Sequence, residues 1–366
     1  MKILMLVNWK VEYALQKPDG KQPPDYYVKG EPYWFFRYFK EPVQVDVIDI
    51  CSFPWLERFE KNRLRFYVWQ TLRAIPKLHN YDLILSHGAQ SGVVLSLWRR
   101  LFPGKAKHIL FDIGAFNSAA QQGVALKIMQ MASQSLEGVI YHTSNQINYY
   151  KKCFPWLTQK SKFIPFGTDS DYFVRENGGA GQHNFIICVG YQKRDWETLI
   201  RAYRRLADLL ETEGKEAPEL RLIGRPDGAY QKTGESVKNG KINQMPFLPL
   251  EELIQNIQDA LFTVLPLENF NYSFGQMTLL QQMALGKAVI TAQVPSMADY
   301  VEEGKTGLFY EAGDDRQLCD RMHQLYTDDQ LRGEIGHAAA EYVQYQYNEK
   351  KMALQIEHFL KEILEN

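Results

Sequence analysis

The sequence predicts an α/β protein with two domains, each built on a parallel β-sheet. Three observations indicate this. The chain has 366 residues, which is long for one hydrophobic core and sufficient for two. Short apolar runs alternate with helix-length amphipathic segments, as in proteins with helices on both faces of a parallel sheet. The alternation occurs in two series, separated by a polar, glycine-rich stretch.

The first series contains six predicted strands, and their sequences are KILMLV, VQVDVIDI, DLILSHG, KHILFDIG, GVIYHTS and KFIPFG. The second contains five, and their sequences are NFIICVG, LRLIG, ALFTVLP, KAVITA and TGLFY. Between them lie segments with apolar residues at helical spacing, such as WETLIRAYRRLADLLETE and LEELIQNIQD. Both series therefore predict parallel strands joined by helices.

Domain boundaries follow from the stretch RENGGAGQHN, residues 175–184, which has no apolar residue to anchor it and is predicted to be a linker. Residues 1–174 then form the first domain and residues 185–344 the second. The end of the chain, EYVQYQYNEKKMALQIEHFLKEILEN, is predicted to be one long amphipathic helix. We expect its last part, residues 345–366, to pack on the first domain.

Charge is distributed unevenly along the chain. Residues 1–175 carry 23 basic and 14 acidic residues, a net charge of +9, whereas the remainder carries 19 and 29, a net charge of −10. A basic first half favours an anionic ligand or surface there. A chance imbalance between two solvated surfaces is the alternative.

Cysteine spacing and hydropathy bear on the compartment. The four cysteines are far apart and form no CxxC pair, which favours a reducing compartment without a zinc site. No apolar run approaches the roughly 18–20 residues needed to cross a bilayer, and MKILMLV reads as a buried strand. The expected location is the cytoplasm, either free or peripheral at the inner face of the membrane.

Loops that follow strands in the second domain carry the residues best suited to bind an anion. Lys193 and Arg194 follow NFIICVG and precede a helix. Gly275 and Gln276 stand at the start of another helix, after the ALFTVLP strand. In open parallel sheets, ligands bind at the carboxyl ends of the strands, and helix N-termini attract anions. We therefore predict a diphosphate site here, with solvated surface cations as the alternative.

Two residues of the first domain also stand at strand ends. His87 ends DLILSHG, and Asp112 ends KHILFDIG. A carboxylate directly after a buried strand is costly without a partner, so Asp112 is the stronger candidate for contact with a substrate. His87 is predicted to share that catalytic site, with a satisfied structural histidine as the alternative.

Across residues 160–345, the sequence resembles glycosyltransferase family 4, the retaining enzymes of the GT-B fold. The resemblance lies in FIPFGTDSDYF, VGYQKRDWETLIRAY, LRLIG, MPFLPLEELIQNIQDALFTVLPLE and SFGQMTLLQQMALGKAVITAQVPSMADYVEEGKTGLFYEAGD. It implies two facing Rossmann-like domains and a nucleotide-diphosphate sugar as donor. Over residues 1–155 the resemblance rests on strand order alone.

Site roles follow from the same resemblance. Two glutamates eight positions apart usually contact the donor sugar and ribose, and the register places Ser273 and Gln281 there instead. Some branches of the family have a similar loop, and both side chains still form hydrogen bonds. Asp299 is a further candidate for the sugar or ribose. The segment with Met245 and Phe247 resembles the stretch that runs past the nucleotide base in this family, so the resemblance implies that these two residues belong to the base region.

Metal is not expected to take part. Asp169-Ser170-Asp171 has the spacing of a metal-binding DxD motif, but it belongs to the PFGTD loop, which in this family binds no metal. The resemblance therefore implies no cofactor, and the UDP- or GDP-linked sugar is the substrate.

The first domain contains two segments with basic and aromatic residues. One is a long insertion after the first strand, NWKVEYALQKPDGKQPPDYYVKGEPYWFFRYF, which is predicted to be functional or disordered. The other, residues 57–77, is predicted to be a basic helix that lies on an anionic membrane, or else packs on the first sheet with its cations in water. The chain has no nucleic-acid recognition motif.

These observations predict a glycosyltransferase that moves a hexosyl group, with retention, from a UDP- or GDP-sugar to a glycan or lipid-linked acceptor hydroxyl. Polysaccharide, glycolipid or cell-envelope glycan synthesis would use such an enzyme. The absent glutamates favour an alternative, a catalytically silent nucleotide-sugar-binding protein or partner subunit. A third hypothesis is another sugar-nucleotide enzyme of the same fold, such as an epimerase.

Overall fold

The structure is a computed structural model that describes residues 1–114, 116, 122–174, 183–190, 192–224, 235–270 and 272–365. Its contacts divide the chain into two compact units. The first comprises Met1–Pro165, Asn271–Ser273 and Lys350–Asn366, and the second comprises Phe166–Phe270 and Phe274–Glu349. Most of the predicted linker, residues 175–182, lies outside the described residues, so its extent stays a prediction.

Among the described residues, eight strands belong to the first unit: β1 (Lys2–Leu6), β2 (Glu12–Ala14), β3 (Tyr26–Val28), β4 (Gln44–Ile48), β5 (Leu83–His87), β6 (Lys107–Asp112), β7 (Gly138–Tyr141) and β8 (Ser161–Phe163). Its helices up to this point are α1 (Pro54–Phe59), α2 (Val68–Ala74), α3 (Ala89–Leu101), α4 (Val124–Ser133) and α5 (Gln146–Cys153), with 3-10 turns at Trp34–Tyr38, Ile75–Asn80 and Pro155–Leu157.

The first sheet is parallel and has the order β4-β1-β5-β6-β7-β8. All six strands predicted in the first half are present. Residues of β5 and β7 are buried throughout, which explains why these strands read as continuous apolar runs rather than as alternating ones. The long insertion adds a separate parallel pair, β2 and β3, which the sequence did not predict because both strands are short and partly exposed.

In the described part of the second unit there are seven strands: β9 (Phe185–Val189), β10 (Glu219–Ile223), β11 (Glu235–Val237), β12 (Gly240–Met245), β13 (Thr263–Leu265), β14 (Val289–Ala292) and β15 (Leu308–Tyr310). Its helices are α6 (Trp196–Thr212), α7 (Leu250–Asp259), α8 (Gln276–Ala284), α9 (Pro295–Ala298), α10 (Asp315–Thr327) and α11 (Asp329–Gln346). The sheet has the order β11-β12-β10-β9-β13-β14-β15 and is parallel except for β11.

Both sheets reverse their strand order next to the first long strand of the unit. In the first sheet β1 lies between β4 and β5, and in the second β9 lies between β10 and β13. The loops that leave the carboxyl ends of the two pairs β1/β5 and β9/β13 therefore diverge to opposite sides. Open α/β sheets bind ligands at such a point. Candidate site residues are therefore expected in these loops.

The last helix, α12 (Glu349–Glu365), belongs to the first unit from Lys350 onward. Ile363 lies so close to Gly138 that a Cβ there would be 2.5 Å from its Cδ1. The Glu357 carboxylate accepts hydrogen bonds from the backbone N–H groups of Lys40 and Glu41 at 2.9 and 3.1 Å. These bonds hold the loop before β4 against α12.

The prediction of one long C-terminal helix is wrong, since α11 ends at Gln346 and α12 begins at Glu349. Between them the backbone of Tyr347 accepts a hydrogen bond from the N–H of Thr168 at 2.9 Å, and the N–H of Glu349 donates to Thr168 O at 2.8 Å. A distant segment thus takes the hydrogen bonds that would have continued the helix.

The prediction of one basic helix over residues 57–77 is also wrong. The segment consists of α1, a π-helical turn at Glu60–Leu64, α2 and a 3-10 turn. Arg65 ends the π turn with a left-handed backbone, φ 60°, which a continuous helix does not allow. Within the part of the chain that the structure describes, no helix is both long and apolar enough to cross a membrane.

Candidate functional site

Arg194 is fixed at the carboxyl end of β9 by three hydrogen bonds. Its Nε donates to Val189 O at 3.1 Å, one terminal nitrogen donates to Gln192 O at 3.1 Å, and the other donates to Thr278 Oγ1 at 3.3 Å. Gly190 makes room for the guanidinium, since a Cβ there would be 3.0 Å from its Nη2. The planar group is therefore held in one orientation beside the first turn of α8.

The positive charge of Arg194 is balanced by none of these three partners, because the acceptors are two carbonyls and a hydroxyl. Burial lowers the pKa of the guanidinium, and the neighbouring Cys188 opposes that shift, but an arginine remains charged at neutral pH. A charge in a partly buried position gains from a nearby anion more than an exposed charge does. The geometry therefore favours an anionic ligand at Arg194.

Helix α8 supplies the second component of an anion site. Gly275 precedes it with a left-handed backbone, φ 90° and ψ −13°, and a Cβ at this position would be 3.3 Å from Leu267 Cδ1. Backbone N–H groups of the first helical turn lack partners within the helix and attract anions. Thr278 lies in that turn, so its bond to Arg194 brings the two loops predicted from the sequence together.

Lys193 differs from Arg194 because it has an acidic partner. Its Nζ lies 3.0 Å from Glu268 Oε2, and both side chains are exposed. Lys193 has a left-handed backbone, φ 55°, and its carbonyl accepts a hydrogen bond from the N–H of Glu268 at 3.3 Å. An exposed pair of this kind contributes only about 0–1 kcal/mol, so the lysine can exchange this carboxylate for another anion.

Gln276, Gln281 and Asp299 occupy different positions around α8. Gln276 is buried and donates through Nε2 to Ser296 O at 3.2 Å, which ties the start of α8 to α9. Gln281 lies further along α8 and is half-buried. Asp299 ends α9, and its carbonyl accepts a hydrogen bond from the Tyr347 hydroxyl. The roles of these residues toward sugar or ribose stay predictions.

Met245 and Phe247 lie at the same edge of the second sheet. Met245 ends β12, and its carbonyl accepts a hydrogen bond from Gly224 N at 3.1 Å. The Phe247 side chain is 66% exposed. An exposed aromatic ring at the carboxyl edge of a sheet offers a face on which a nucleobase can stack. Contact with the base stays a prediction for both residues.

In the first unit, His87 ends β5 and is surrounded by rings. Its imidazole lies 4.7 Å from the Trp9 ring, 5.6 Å from Trp34 and 5.6 Å from Phe111, between centroids. Burial, with a smaller effect of His142, lowers the pKa of His87 to about 3. The imidazole is therefore neutral at physiological pH, and the catalytic role of His87 stays a prediction.

Asp112 is fully buried, and its carboxylate accepts hydrogen bonds from its own surroundings. Oδ1 accepts from the N–H groups of Gly114 at 3.0 Å and Phe116 at 3.3 Å, and Oδ2 accepts from the Tyr150 hydroxyl at 2.6 Å. Gln146 Nε2 adds a bond at 3.4 Å. These oxygens hold the loop after β6, and contact between Asp112 and a substrate stays a prediction.

Ser273 stands where the resemblance implied contact with the donor sugar, and it is 2% exposed. Its hydroxyl donates to Gln146 Oε1 at 2.7 Å and lies 3.1 Å from Thr143 Oγ1. All three residues belong to the first unit as the contacts define it. The hydroxyl is therefore engaged within that unit, and contact between Ser273 and the donor sugar stays a prediction.

Three residues that contact the candidate site residues were not predicted from the sequence. Thr278 joins Arg194 to α8, Gln146 joins Ser273 to Asp112, and Trp9 covers His87. The aromatic richness of the insertion was a usable signal for Trp9, since it directly follows β1. The other two carry no local signal, because their partners are far away in the sequence.

Among the described residues, no group of three or more histidine, cysteine, aspartate and glutamate side chains is placed to hold a metal ion. The Asp169-Ser170-Asp171 motif instead forms a turn, in which Asp169 Oδ1 accepts hydrogen bonds from the N–H groups of Asp171 and Tyr172 at 3.3 and 3.2 Å.

Comparison with known families and curated proteins adds to this geometry. Residues 183–328 match the family model described as glycosyl transferases group 1. D-inositol 3-phosphate glycosyltransferase of Corynebacterium diphtheriae is 29% identical over 289 residues, which cover 72% of this chain and 66% of the relative. N-acetyl-alpha-D-glucosaminyl L-malate synthase of Bacillus anthracis is 28% identical over 206 residues, which cover 50% of this chain and 53% of the relative. The matches thus span about half to two thirds of these relatives.

Solved structures extend the likeness over the whole chain. Sucrose-phosphate synthase of Thermosynechococcus elongatus has a TM-score of 0.67 at 16% identity, with 100% of both chains covered. HepE of Anabaena, solved in complex with UDP, has a TM-score of 0.66 at 15% identity, with 99% of this chain and 100% of HepE covered. At such identity these structures establish the fold. The two parallel sheets and these solved structures show the GT-B fold, and the matched family model and the curated relatives support a member of glycosyltransferase family 4.

Proposed function

We propose that the protein transfers a hexosyl group from a nucleoside-diphosphate sugar to an acceptor hydroxyl, with retention at the anomeric carbon. The observation that carries the proposal is the position of Arg194, whose guanidinium is oriented beside the first turn of α8 at the carboxyl end of β9. A diphosphate is the anion that this pair of donors fits, because it has two charged groups and many acceptor oxygens. The Corynebacterium diphtheriae relative named above is a glycosyltransferase.

The chemistry assigned to this site is stabilisation of the leaving group. As the bond between the anomeric carbon and the diphosphate oxygen breaks, negative charge grows on the diphosphate. Arg194 and the N–H groups that begin α8 are already oriented toward such an anion, so they need no reorganisation during the reaction. The acceptor oxygen forms the new bond to the same carbon, and its proton passes to the departing diphosphate.

Lys193 has a different part in this proposal. Its ion pair with Glu268 is exposed on both sides, and a diphosphate carries more charge than one carboxylate. We therefore assign Lys193 to the donor phosphates in the bound state, with Glu268 released to solvent. Gly275 allows the close approach of the donor to the start of α8, and Gln276 holds that start against α9.

Uridine is the base we propose first, with guanosine as the other. HepE, a structural neighbour of the same fold, was solved with UDP and with UDP-glucose. The exposed ring of Phe247 and the nearby Met245 are the residues assigned to the base region, and Gln281 and Asp299 are assigned to sugar or ribose hydroxyls. No metal or other cofactor is required, because the cations of the site are supplied by the chain.

An alternative function is a nucleotide-sugar-binding protein without turnover. It is favoured by one observation, the engagement of Ser273 with Gln146 and Thr143, which leaves the position of a usual family glutamate without a group directed to the donor. Slow hydrolysis of the donor in the absence of acceptor supports the enzyme. Tight binding of the donor without any release of sugar supports the alternative.

A lipid-linked or glycan acceptor near an anionic membrane is the partner we propose. Residues 53–65 expose four large apolar side chains, Phe53, Trp55, Phe59 and Leu64, and four cations, Arg58, Lys61, Arg63 and Arg65. Apolar side chains that insert at the headgroup level and cations that meet anionic lipids would act together there. The location we propose is therefore peripheral, at the inner, cytoplasmic face of a membrane.

The experiment that tests the donor site is a thermal-unfolding screen with UDP, GDP, ADP and their common sugars. A ligand at about 100 times its Kd stabilises the fold by about 2.7 kcal/mol. We expect one nucleoside diphosphate to raise Tm, and Lys193→Ala/Arg194→Ala to remove that rise. The control is Lys215→Ala/Arg205→Ala, which removes two ion-paired cations elsewhere in the second unit. No rise with any nucleotide, or an equal loss in both variants, would contradict the site.

A further inference from the structure

The first sheet ends at β4, which among the described residues pairs with β1 alone. Gln44 N–H donates to Met1 O at 3.0 Å, so Gln44 faces β1. Backbone groups of successive strand residues point to opposite sides within the sheet. Val45 and Val47 therefore direct their N–H and C=O groups away from β1, toward the position of a further strand. Such outward groups form a template for another chain unless something covers them.

Two tyrosines of the insertion after β1 reach these outward carbonyls. The Tyr27 hydroxyl donates to Val45 O and the Tyr13 hydroxyl donates to Val47 O, both at 3.2 Å. Tyr13 and Tyr27 are register partners in the parallel pair β2/β3, and their ring centroids lie 6.0 Å apart. Two donors that a neighbouring strand would supply are thus replaced by two hydroxyls.

Internal hydrogen bonds of the insertion give these tyrosines a fixed position. Trp9 Nε1 and the Tyr33 hydroxyl both donate to Pro24 O, at 3.1 and 2.8 Å. The Tyr33 ring packs against Tyr27, with centroids 5.8 Å apart. Tyr33 is 2% exposed, whereas Tyr13 is 55% exposed. The pair β2/β3 therefore stands on a buried base and holds its outermost tyrosine at the edge of β4.

The edge strand β15 of the second sheet is covered in a similar way by different side chains. Tyr310 O accepts from Gln293 N–H at 2.8 Å, so Phe309 faces away from β14. Glu303 Oε2 accepts from Phe309 N–H at 2.5 Å, and Arg321 Nε donates to Phe309 O at 3.1 Å. Glu303 and Arg321 also pair with each other at 2.9 Å. Side chains thus take the place of a neighbouring strand in both sheets.

We propose that β2 and β3, with Tyr13 and Tyr27, form an edge cover that masks a strand-pairing surface on β4. The partner that this surface fits is β4 of a second copy of the chain, because one strand edge carries both donors and acceptors and is complementary to itself. The strand reads QVDVI, with β-branched residues, one charge and no proline, a composition that favours pairing. This role is independent of the donor site, which lies in the second unit.

The test is sedimentation velocity of the whole chain at increasing protein concentration. We expect Tyr13→Ala/Tyr27→Ala to associate beyond the state of the native chain, and Tyr13→Phe/Tyr27→Phe to do so more weakly, since the phenyl rings still cover part of the edge. The control is Tyr345→Ala, which removes a tyrosine of α11 that is 67% exposed. Circular dichroism shows whether each variant is folded.

Val47→Pro distinguishes pairing through β4 from association through another surface. Proline has no N–H, and it is tolerated on an edge strand where that N–H faces outward. The bonds between β4 and β1 are therefore kept, whereas a second copy loses a donor. We expect Val47→Pro, added to Tyr13→Ala/Tyr27→Ala, to restore the sedimentation of the native chain.

Association that Val47→Pro removes would support the edge cover. A folded Tyr13→Ala/Tyr27→Ala variant that keeps the native state at every concentration would overturn it. Association that persists with Val47→Pro, or that Tyr345→Ala produces equally, would overturn it too, because a surface other than β4 would then be responsible. Should the alanine pair fail to fold, the phenylalanine pair, which lacks only the two hydroxyls, is judged by the same outcomes.

Discussion

A terminal nitrogen of Arg194 lies 3.3 Å from the Thr278 hydroxyl, which joins the loop after β9 to the first turn of α8. Two positive elements, a guanidinium and a helix N-terminus, are thereby held side by side. In the absence of an anion, these two positive elements repel each other. The fold tolerates this repulsion because the hydrogen bond from Arg194 is accepted by a neutral hydroxyl. An anion that meets both elements relieves the repulsion, which is why we place the diphosphate there.

Gly275→Ala is predicted to impair folding and diphosphate binding together. The left-handed backbone costs an alanine about 1–2 kcal/mol, and its Cβ would also press on Leu267 at 3.3 Å. We expect urea unfolding to show a loss of more than 1 kcal/mol, with the affinity for the nucleotide reduced as the start of α8 shifts. Gly304→Ala is the control, since Gly304 has a φ of 73° but no atom within 4 Å of the new Cβ. Equal losses in the two variants would mean that crowding at Leu267 has no effect.

Glu268→Gln is predicted to strengthen diphosphate binding while leaving the fold almost unchanged. The exposed carboxylate competes with the ligand for Lys193, so its removal frees that cation. We expect a change of less than 1 kcal/mol in the free energy of unfolding and a several-fold lower Kd, measured by calorimetry at low salt. Glu302→Gln, which removes the partner of Lys305 at 2.7 Å, should leave Kd unchanged. Weaker binding by Glu268→Gln would instead assign the carboxylate to the donor.

Asp112→Asn is predicted to destabilise the first unit rather than to act on chemistry alone. The amide replaces an acceptor by a donor, and at least one of the Gly114, Phe116 and Tyr150 donors then loses its partner. An unpaired buried group costs about 1–3 kcal/mol, which urea unfolding can measure, and the Tm rise caused by nucleotide should persist. Full stability combined with abolished turnover would instead support contact between Asp112 and the substrate.

The sheets could be predicted from sequence because their information is local. Strands such as β5, which is buried along its whole length, are continuous apolar runs, and the rule that loops after strands carry ligands led to Arg194, Gly275 and His87. Short elements were missed where burial is partial, as in β2. The long helix at the C-terminus was wrongly predicted because Thr168 interrupts it from far away in the sequence.

Side-chain roles were harder to predict than strands for the same physical reason. Whether a strand-end carboxylate faces a ligand or its own loop depends on partners from other elements, and Tyr150 and Gln146 could not be assigned to Asp112 in advance. Ser273 was placed by its register in the family pattern, whereas its bond to Gln146 joins residues more than a hundred positions apart. Only a folded structure brings such pairs together.

Acidification is predicted to unfold the first unit through its buried histidines. Burial lowers the pKa of His87 and His108 to about 3 and that of His142 to about 4, against about 6.5 in the unfolded chain. Because these folded-state pKa values lie below the unfolded value, the stability they contribute is complete above pH 6.5 and is lost as pH falls toward 4. Between pH 7 and pH 5, each histidine should remove about 2 kcal/mol.

Urea unfolding of the native chain and of His108→Asn between pH 7 and pH 5 measures this effect. His108 is held by Ser86 at 2.8 Å and Ser96 at 3.4 Å, so asparagine can keep one of these bonds. We expect the variant to be less stable at pH 7 but to lose about 2 kcal/mol less than the native chain on acidification, since one fewer histidine must take up a proton on unfolding. His358→Gln, which alters an exposed histidine of α12, should follow the native profile. A His108→Asn profile parallel to the native one would show that this imidazole is already protonated in the fold.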